Sequence, residues 1–294
     1  MERKPLDAAA IALLVLLTAL WGVQQSAIKL TAPDVSLVMQ SAIRSVAATA
    51  LLWLWARARG IALFERDGTL VPGILAGLLF GFEFVLIYAG LGHTHASRMT
   101  VFIYLAPVVV ALGLPFFLPS ERLSPLQWAG VVLSFAGIVV AFRQGFSAGG
   151  DTWAGDLCGI VAGLLWGLTT ILIRATKLSQ ATATKALFYQ HAVSAVVLPL
   201  SSLALGEPGV VQWTPFAVGS LVFQSVVVAF ASYLAWFWLL TRYLAARLSV
   251  LSFLTPMFGV LSGVVILGEP IGPAFVFAAL LVGTGIVLVN LKKA

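Results

Sequence analysis

Charge is scarce in this chain of 294 residues: only 10% are Asp, Glu, Lys or Arg, against roughly 25% in an ordinary globular sequence. So little charge cannot cover a water-facing surface of normal size, which excludes a soluble domain. There is one cysteine, Cys158, and there are three histidines. No disulfide framework and no cysteine-based metal site can be assembled from that. His93 and His95 stand two apart in a predicted turn without further ligands, so neither metal nor cofactor is expected. No G-x-x-x-x-G-K-(S/T) stretch occurs, which excludes a phosphate-cradling loop and direct use of ATP. The formal charge of +6 is spread over short connecting segments rather than gathered on one face, so nucleic acid is not an expected partner.

Apolar residues make up 61% of the chain. About 20 of them in a row cross a bilayer core, and the charge-poor runs are 8–28, 35–56, 70–92, 99–120, 123–142, 157–173, 186–206, 213–241, 248–268 and 270–291. They predict an all-α polytopic membrane protein with ten transmembrane helices. The first run follows Arg3 and Lys4 as a secretory leader would. It has an internal counterpart that reads as a span, so it is taken as the first helix. With both termini cytoplasmic, the inner loops hold Arg57, Arg59, Arg66, Arg122, Arg174, Lys177, Lys185, Arg242, Arg247 and the terminal Arg3, Lys4, Lys292 and Lys293. The outer loops hold only Lys29, Arg98 and Arg143. This is the positive-inside pattern.

The sequence repeats itself. Residues 96–122 and 245–269 each carry small residues, then an apolar helix with a mid-helix proline, then a glutamate: Arg98 falls on Arg247, Pro107 on Pro256, Glu121 on Glu269. Interior proline costs a helix about 3 kcal/mol and is tolerated in a membrane where a neighbour or a wet cavity satisfies the freed carbonyl. The first and sixth spans also match, Trp21-Gly22 on Trp166-Gly167 and Lys29 on Arg174. Two units follow, 1–145 and 146–294. Five spans in each is an odd number, so the second unit must be inverted, the plan of many transporters with a substrate site at the midplane.

Arg44 and Glu83 interrupt the second and third spans at similar depth. A charge there costs at least about 2.5 kcal/mol on insertion scales and needs a partner or a cavity. One reading is a coupling or substrate-orienting pair, Arg44 meeting a carboxylate and Glu83 an ammonium or a proton; the other is a structural ion pair between helices. His191, in the seventh span, is either a proton relay or a hydrogen-bonded core histidine. The glycines at 73, 77 and 81 and at 155, 159, 163 and 167 read as helix-packing ladders. Glu121 and Glu269 read as capping groups in turns, and Trp53, Trp55, Trp128, Trp153 and Trp213 as interfacial anchors.

Ten spans in two inverted halves, a Trp-Gly step opening each, Arg44 in the second span, and the twice-used proline helix with its following glutamate resemble the EamA-type branch of the drug/metabolite transporter superfamily, most of all its aromatic and neutral amino-acid exporters. The resemblance implies a secondary exporter in a bacterial inner membrane, functional as a monomer and without catalytic residues. It implies a central cavity placing Glu83, Tyr88, Tyr104, Gln224, Tyr233, Trp236 and Phe253 near the substrate. The expected activity is export of aromatic and other neutral amino acids by alternating access, Pro107 and Pro256 acting as bending points, with Glu83, Arg44 and His191 coupling transport or pairing helices. Export of other metabolites or drugs is the alternative. A membrane-embedded enzyme would need clustered catalytic groups, for which Glu83 and His191, in opposite repeats, are the only intramembrane candidates.

Overall fold

A computed structural model describes residues 5–91, 93–94, 96–143, 152–267 and 273–291. His95, Glu269, and nearly all of the link between the halves lie outside the described residues. Most of the described residues are helical, and they contain no strand beyond an isolated bridge between Val35 and Val210. The helices are α1 (Ala8–Thr31), α2 (Leu37–Ala58), α3 (Leu70–Leu91), α4 (Ala96–Ile103), α5 (Ala106–Gly113), α6 (Pro125–Ala141), α7 (Trp153–Ala175), α8 (Ala183–Ala204) and α9 (Pro215–Val222). A π-helical segment, Phe223–Ser232, joins α9 to α10 (Tyr233–Arg242), and α11 (Ala245–Leu251), α12 (Leu254–Leu267) and α13 (Pro273–Asn290) complete the chain. Eight straight or bent helical segments are long and apolar enough to cross a membrane, and two shorter apolar helices, 125–141 and 276–289, fall where the fifth and tenth spans are expected. The protein is a polytopic membrane protein.

Local signals start these helices. Asp7 caps α1 by accepting from Ala10 N–H at 2.9 Å. Ser124 and Gln127 form a reciprocal capping box at α6, and Thr182 and Thr214 cap α8 and α9. Proline breaks two spans as the repeat predicts. Pro107 has no N–H and its ring displaces the carbonyl four residues back, so α4 stops at Ile103 and the turn is bridged by Leu105 N–H to Phe102 O at 3.1 Å. Pro256 does the same: α11 stops at Leu251, and Ser252 donates from both backbone and hydroxyl to Ser249 O, at 3.1 and 2.6 Å.

The two halves interlock around these breaks. α1 packs on α12 and α7 on α4 and α5, while α2 packs on α8 and α6 on α13. The contact is close because the Trp-Gly glycines allow it. A Cβ on Gly22 would stand 2.6 Å from Phe258 Cβ, and one on Gly167 would stand 2.6 Å from Val109 Cβ, each two residues past its proline. The glycine ladder of α3 meets α8 in register, Gly73 on Tyr189, Gly77 on Val193 and Gly81 on Val197. Buried hydroxyls and amides cross between helices, as Ser26 to Ser262 at 2.9 Å and Thr31 to Ser220 at 2.7 Å. Such contacts hold membrane helices together where lipid removes the hydrophobic drive.

This packing makes opposite predictions for two glycines. A Cβ at position 77 meets Val193 Cβ at 2.6 Å and Tyr189 O at 2.8 Å, neither of which can step aside, whereas Gly219 has nothing within 4 Å. Gly77→Ala should lower the melting temperature in detergent by ~3 °C or more, about 1 kcal/mol for a chain of this size. Gly219→Ala should leave it unchanged or raise it, since alanine is the better helix former.

Candidate functional site

The interior polar groups fall into three sets, and the central one has the unusual chemistry. Arg44 on α2 and Glu83 on α3 are 1% and 5% exposed, and His191 on α8 is 0% exposed. Arg44 and Glu83 lie within electrostatic range of each other but form no salt bridge. The Arg44 guanidinium sits over the Phe84 ring, 4.6 Å from its centroid, and makes one long hydrogen bond, 3.4 Å, to Ser41 Oγ. Its Nε has no acceptor, and Glu83 Oε2 has no donor.

From Phe84 a chain of rings leads to His191. Phe84 lies against Phe80 at 4.9 Å and Tyr88 at 6.1 Å, and Phe80 meets the His191 imidazole edge-on at 5.6 Å. The imidazole stacks on Tyr233 at 5.9 Å, and the Ala229 backbone lies beside it outside bonding geometry. Neither ring nitrogen has a hydrogen-bond partner, and nor do the Ser194 and Ser45 hydroxyls. Ser194 faces α3 at Gly81, 3.4 Å from where a Cβ would be. Six buried polar atoms without partners thus gather where α2, α3 and α8 meet, the π-helical segment and α10 closing the fourth side. Buried polar groups are nearly always paired, and π-helical turns concentrate at functional sites.

The other expected site residues divide. Tyr88 and Tyr233 belong to the central cluster. Trp236 lies on its edge, against Trp21 at 5.5 Å, and Trp21 donates from Nε1 to Ser232 Oγ at 2.8 Å. Tyr104 and Phe253 stand together beside the proline breaks, 6.0 Å apart, with Trp166 edge-on to Tyr104 at 5.5 Å. Gln224 is elsewhere and fully engaged: its amide donates to Gln40 Oε1 and Ser220 Oγ, both at 3.1 Å, and Gln40 donates to Ile28 and Val35 carbonyls.

Ion pairs and distal caps bolt both faces of the bundle. At the face holding Asp7, Glu121 pairs with Arg174, and its carboxylate accepts from Ala245 and Ala246 N–H at 3.2 and 3.3 Å, capping α11 from the other half of the chain. Arg174 also donates to Leu240 O at 3.2 Å, and Tyr243 donates to Asp7 at 2.7 Å. At the opposite face, Glu207 accepts from Val38 and Met39 N–H, both at 3.1 Å, and from the Ser36 and Ser202 hydroxyls, so it caps α2 in place of Ser36. Asp34 there accepts from Gln212 and Thr214. Sequence reasoning found Glu121 as a cap but not the helix it caps, and it passed over Glu207 and Asp34, which look like ordinary turn carboxylates. Among the described residues no group of three or more His, Cys, Asp or Glu could hold a metal ion.

The EamA-like transporter family model matches twice, over residues 8–143 and 153–291. The uncharacterized transporter YvbV of Bacillus subtilis is 25% identical over 100% of this chain and 95% of its own length. An uncharacterized transporter of Archaeoglobus fulgidus is 30% identical over 73% of this chain and 74% of its own. A Salmonella typhimurium protein named as a probable amino-acid metabolite efflux pump is 26% identical over 74% and 75%. A solved crystal structure superposes with a TM-score of 0.78 over 96% of both chains at 20% identity, a likeness of fold.

A surface bolt yields a pH prediction. Lys185 Nζ bonds Asp67 Oδ2 at 2.7 Å, and this ammonium, with help from the Thr69 hydroxyl and N–H, holds the Asp67 carboxyl well below its usual value of 3.8. A depressed carboxylate stabilises the fold fully above its unfolded value and loses that contribution as pH falls toward the folded one. The melting-temperature advantage of the native protein over Asp67→Asn should therefore be constant from pH 8 to about 5 and shrink below about pH 4.

Proposed function

The chain belongs to the EamA-like transporter family, and from that premise we propose that it is a secondary exporter of amino acids, aromatic and other neutral ones, in a bacterial inner membrane. One observation carries the reading: a set of buried polar atoms with no partners, walled by Phe80, Phe84, Tyr88 and Tyr233, lies between helices of the two halves. A small solute with both apolar and polar parts supplies what those atoms lack. The printed name of the Salmonella relative, an amino-acid metabolite efflux pump, supports the substrate class.

The protein acts as a monomer of two inverted five-span units with both termini in the cytoplasm. The bolts at both faces support a closed state between an inward- and an outward-open one. Loading from inside requires the Glu121 to Arg174 pair to part, and release requires Asp34 and Glu207 to let go of their partners. The breaks ahead of Pro107 and Pro256, already short of helical hydrogen bonds, are the bending points. Tyr104 and Phe253 stand at those breaks and form the wall that moves. Glu83 is the coupling group, a carboxylate that takes up and releases a proton as the site is exposed to either side.

Proteoliposomes loaded with labelled phenylalanine, tryptophan or threonine test this. Saturable flux of at least one is expected, accelerated by an opposing proton gradient. In Glu83→Gln the gradient should lose its effect. No saturable flux of any of the three removes the amino-acid reading, and unchanged gradient dependence in the variant removes Glu83 from coupling.

A further inference from the structure

Two nitrogens of the Arg174 guanidinium are spent and the third is not. One pairs with Glu121 and another donates to Leu240 O at 3.2 Å, while Nε has no acceptor although the residue is only 3% exposed. Arg174 lines a cavity at the face that holds Asp7, between the end of α7, the turn Lys177–Gln180, the start of α8 and the end of α10. The volume is about 10 Å³, room for the centre of one water-sized body. Leu178, Ala186, Phe237 and Leu240 make most of its wall apolar, and no Asp or Glu lines it. The carboxylates of this region are engaged, Glu121 by Arg174 and Asp67 by Lys185.

α8 contributes Ala183, its first residue, to the same wall. The Thr182 hydroxyl accepts from Lys185 N–H at 3.2 Å and the Thr182 carbonyl from Ala186 N–H at 3.1 Å. Ala183 and Thr184 N–H are left without an acceptor among the described residues, as the opening amides of a helix are unless something outside supplies one. The Ser179 and Thr241 hydroxyls, also in the wall, donate to the Thr176 and Trp238 carbonyls at 2.8 and 2.7 Å. What stays unspent is therefore donors: the Arg174 Nε–H and the first amides of α8, at the positive end of a helix of 22 residues. Lys177, exposed and in no ion pair among the described residues, adds a positive charge beside them.

We propose that this cavity binds one small monovalent anion, chloride, and that the bound ion latches this face of the bundle closed. A helix start beside a buried cation is a ready anion site. The apolar wall suits a weakly hydrated ion better than fluoride, and the cavity is too small for a multivalent oxyanion. An acceptor on Nε holds the guanidinium in the orientation that meets Glu121 and Leu240 O. The ion thus binds the closed face better than an open one and shifts the balance toward it. The site is separate from the central cluster and does not depend on which solute the protein carries.

Melting the purified protein in sodium chloride and in sodium gluconate at equal ionic strength tests this, gluconate being too large for the cavity. Chloride should raise the melting temperature by about 2 °C or more once it exceeds its Kd about tenfold. Ala183→Leu fills the cavity from the half-buried start of α8 and leaves Arg174, Glu121 and Leu240 in place; it should remove the shift. In crystals soaked with bromide, anomalous density should appear between Arg174 Nε and the Ala183 amide. No difference between the two salts, or an equal difference in Ala183→Leu, overturns the site, chloride then acting on the surface in general or not at all. Bromide density absent from the cavity overturns it as well, whether or not the variant folds, the cavity then holding water only.

Discussion

A guanidinium inside a membrane bundle must be compensated by something, and in this protein the compensation is incomplete. Arg44 has the face of one ring and one long hydrogen bond, while the Glu83 carboxyl, within electrostatic range, forms no salt bridge with it. Leaving a buried charge without its counter-ion is among the most unfavourable arrangements a fold can contain. The helices that impose the separation are locked elsewhere, α3 against α8 through its glycine ladder and α2 against α8 along its length. Rigidity at the glycines thus maintains an unmet electrostatic demand at the centre of the bundle.

The ends of the bundle follow the opposite logic, Glu121, Glu207 and Asp34 each being spent on partners from the other half of the chain. Glu121 and Glu207 have equivalent tasks at opposite faces: each turn carboxylate reaches across to the exposed N–H groups that begin a distant helix, α11 or α2. The helix dipole makes this position favourable for an anion. Water can solvate a carboxylate and free N–H groups as well, so this contact is exchangeable.

Much of this plan could be read from residue order. Apolar runs set the spans and Pro107 and Pro256 set the breaks, because each acts through local backbone chemistry, while the paired Trp-Gly steps marked only the repeat. What could not be read was any pairing through space. Glu121 and Arg174 were both visible as residues, yet nothing in their spacing joins them. Glu207 and Asp34 resembled solvated turn carboxylates until the fold brought helix starts to them. Gln224 shared the composition of a cavity residue but is committed to Gln40. The π-helical stretch 223–232, FQSVVVAFAS, contains neither proline nor glycine, so its widened turns come from packing and not from a sequence signal. His191 was the hardest to place, for an unpaired and a satisfied histidine look alike until their neighbours are known.

The most direct measurement is a density map of the protein saturated with whichever of phenylalanine, tryptophan or threonine it transports. The account predicts a solute between Arg44, Glu83 and His191, with the guanidinium and the carboxylate still apart and each contacting the ligand. A map in which Arg44 and Glu83 close into a direct ion pair, with the solute bound elsewhere or absent, would contradict it.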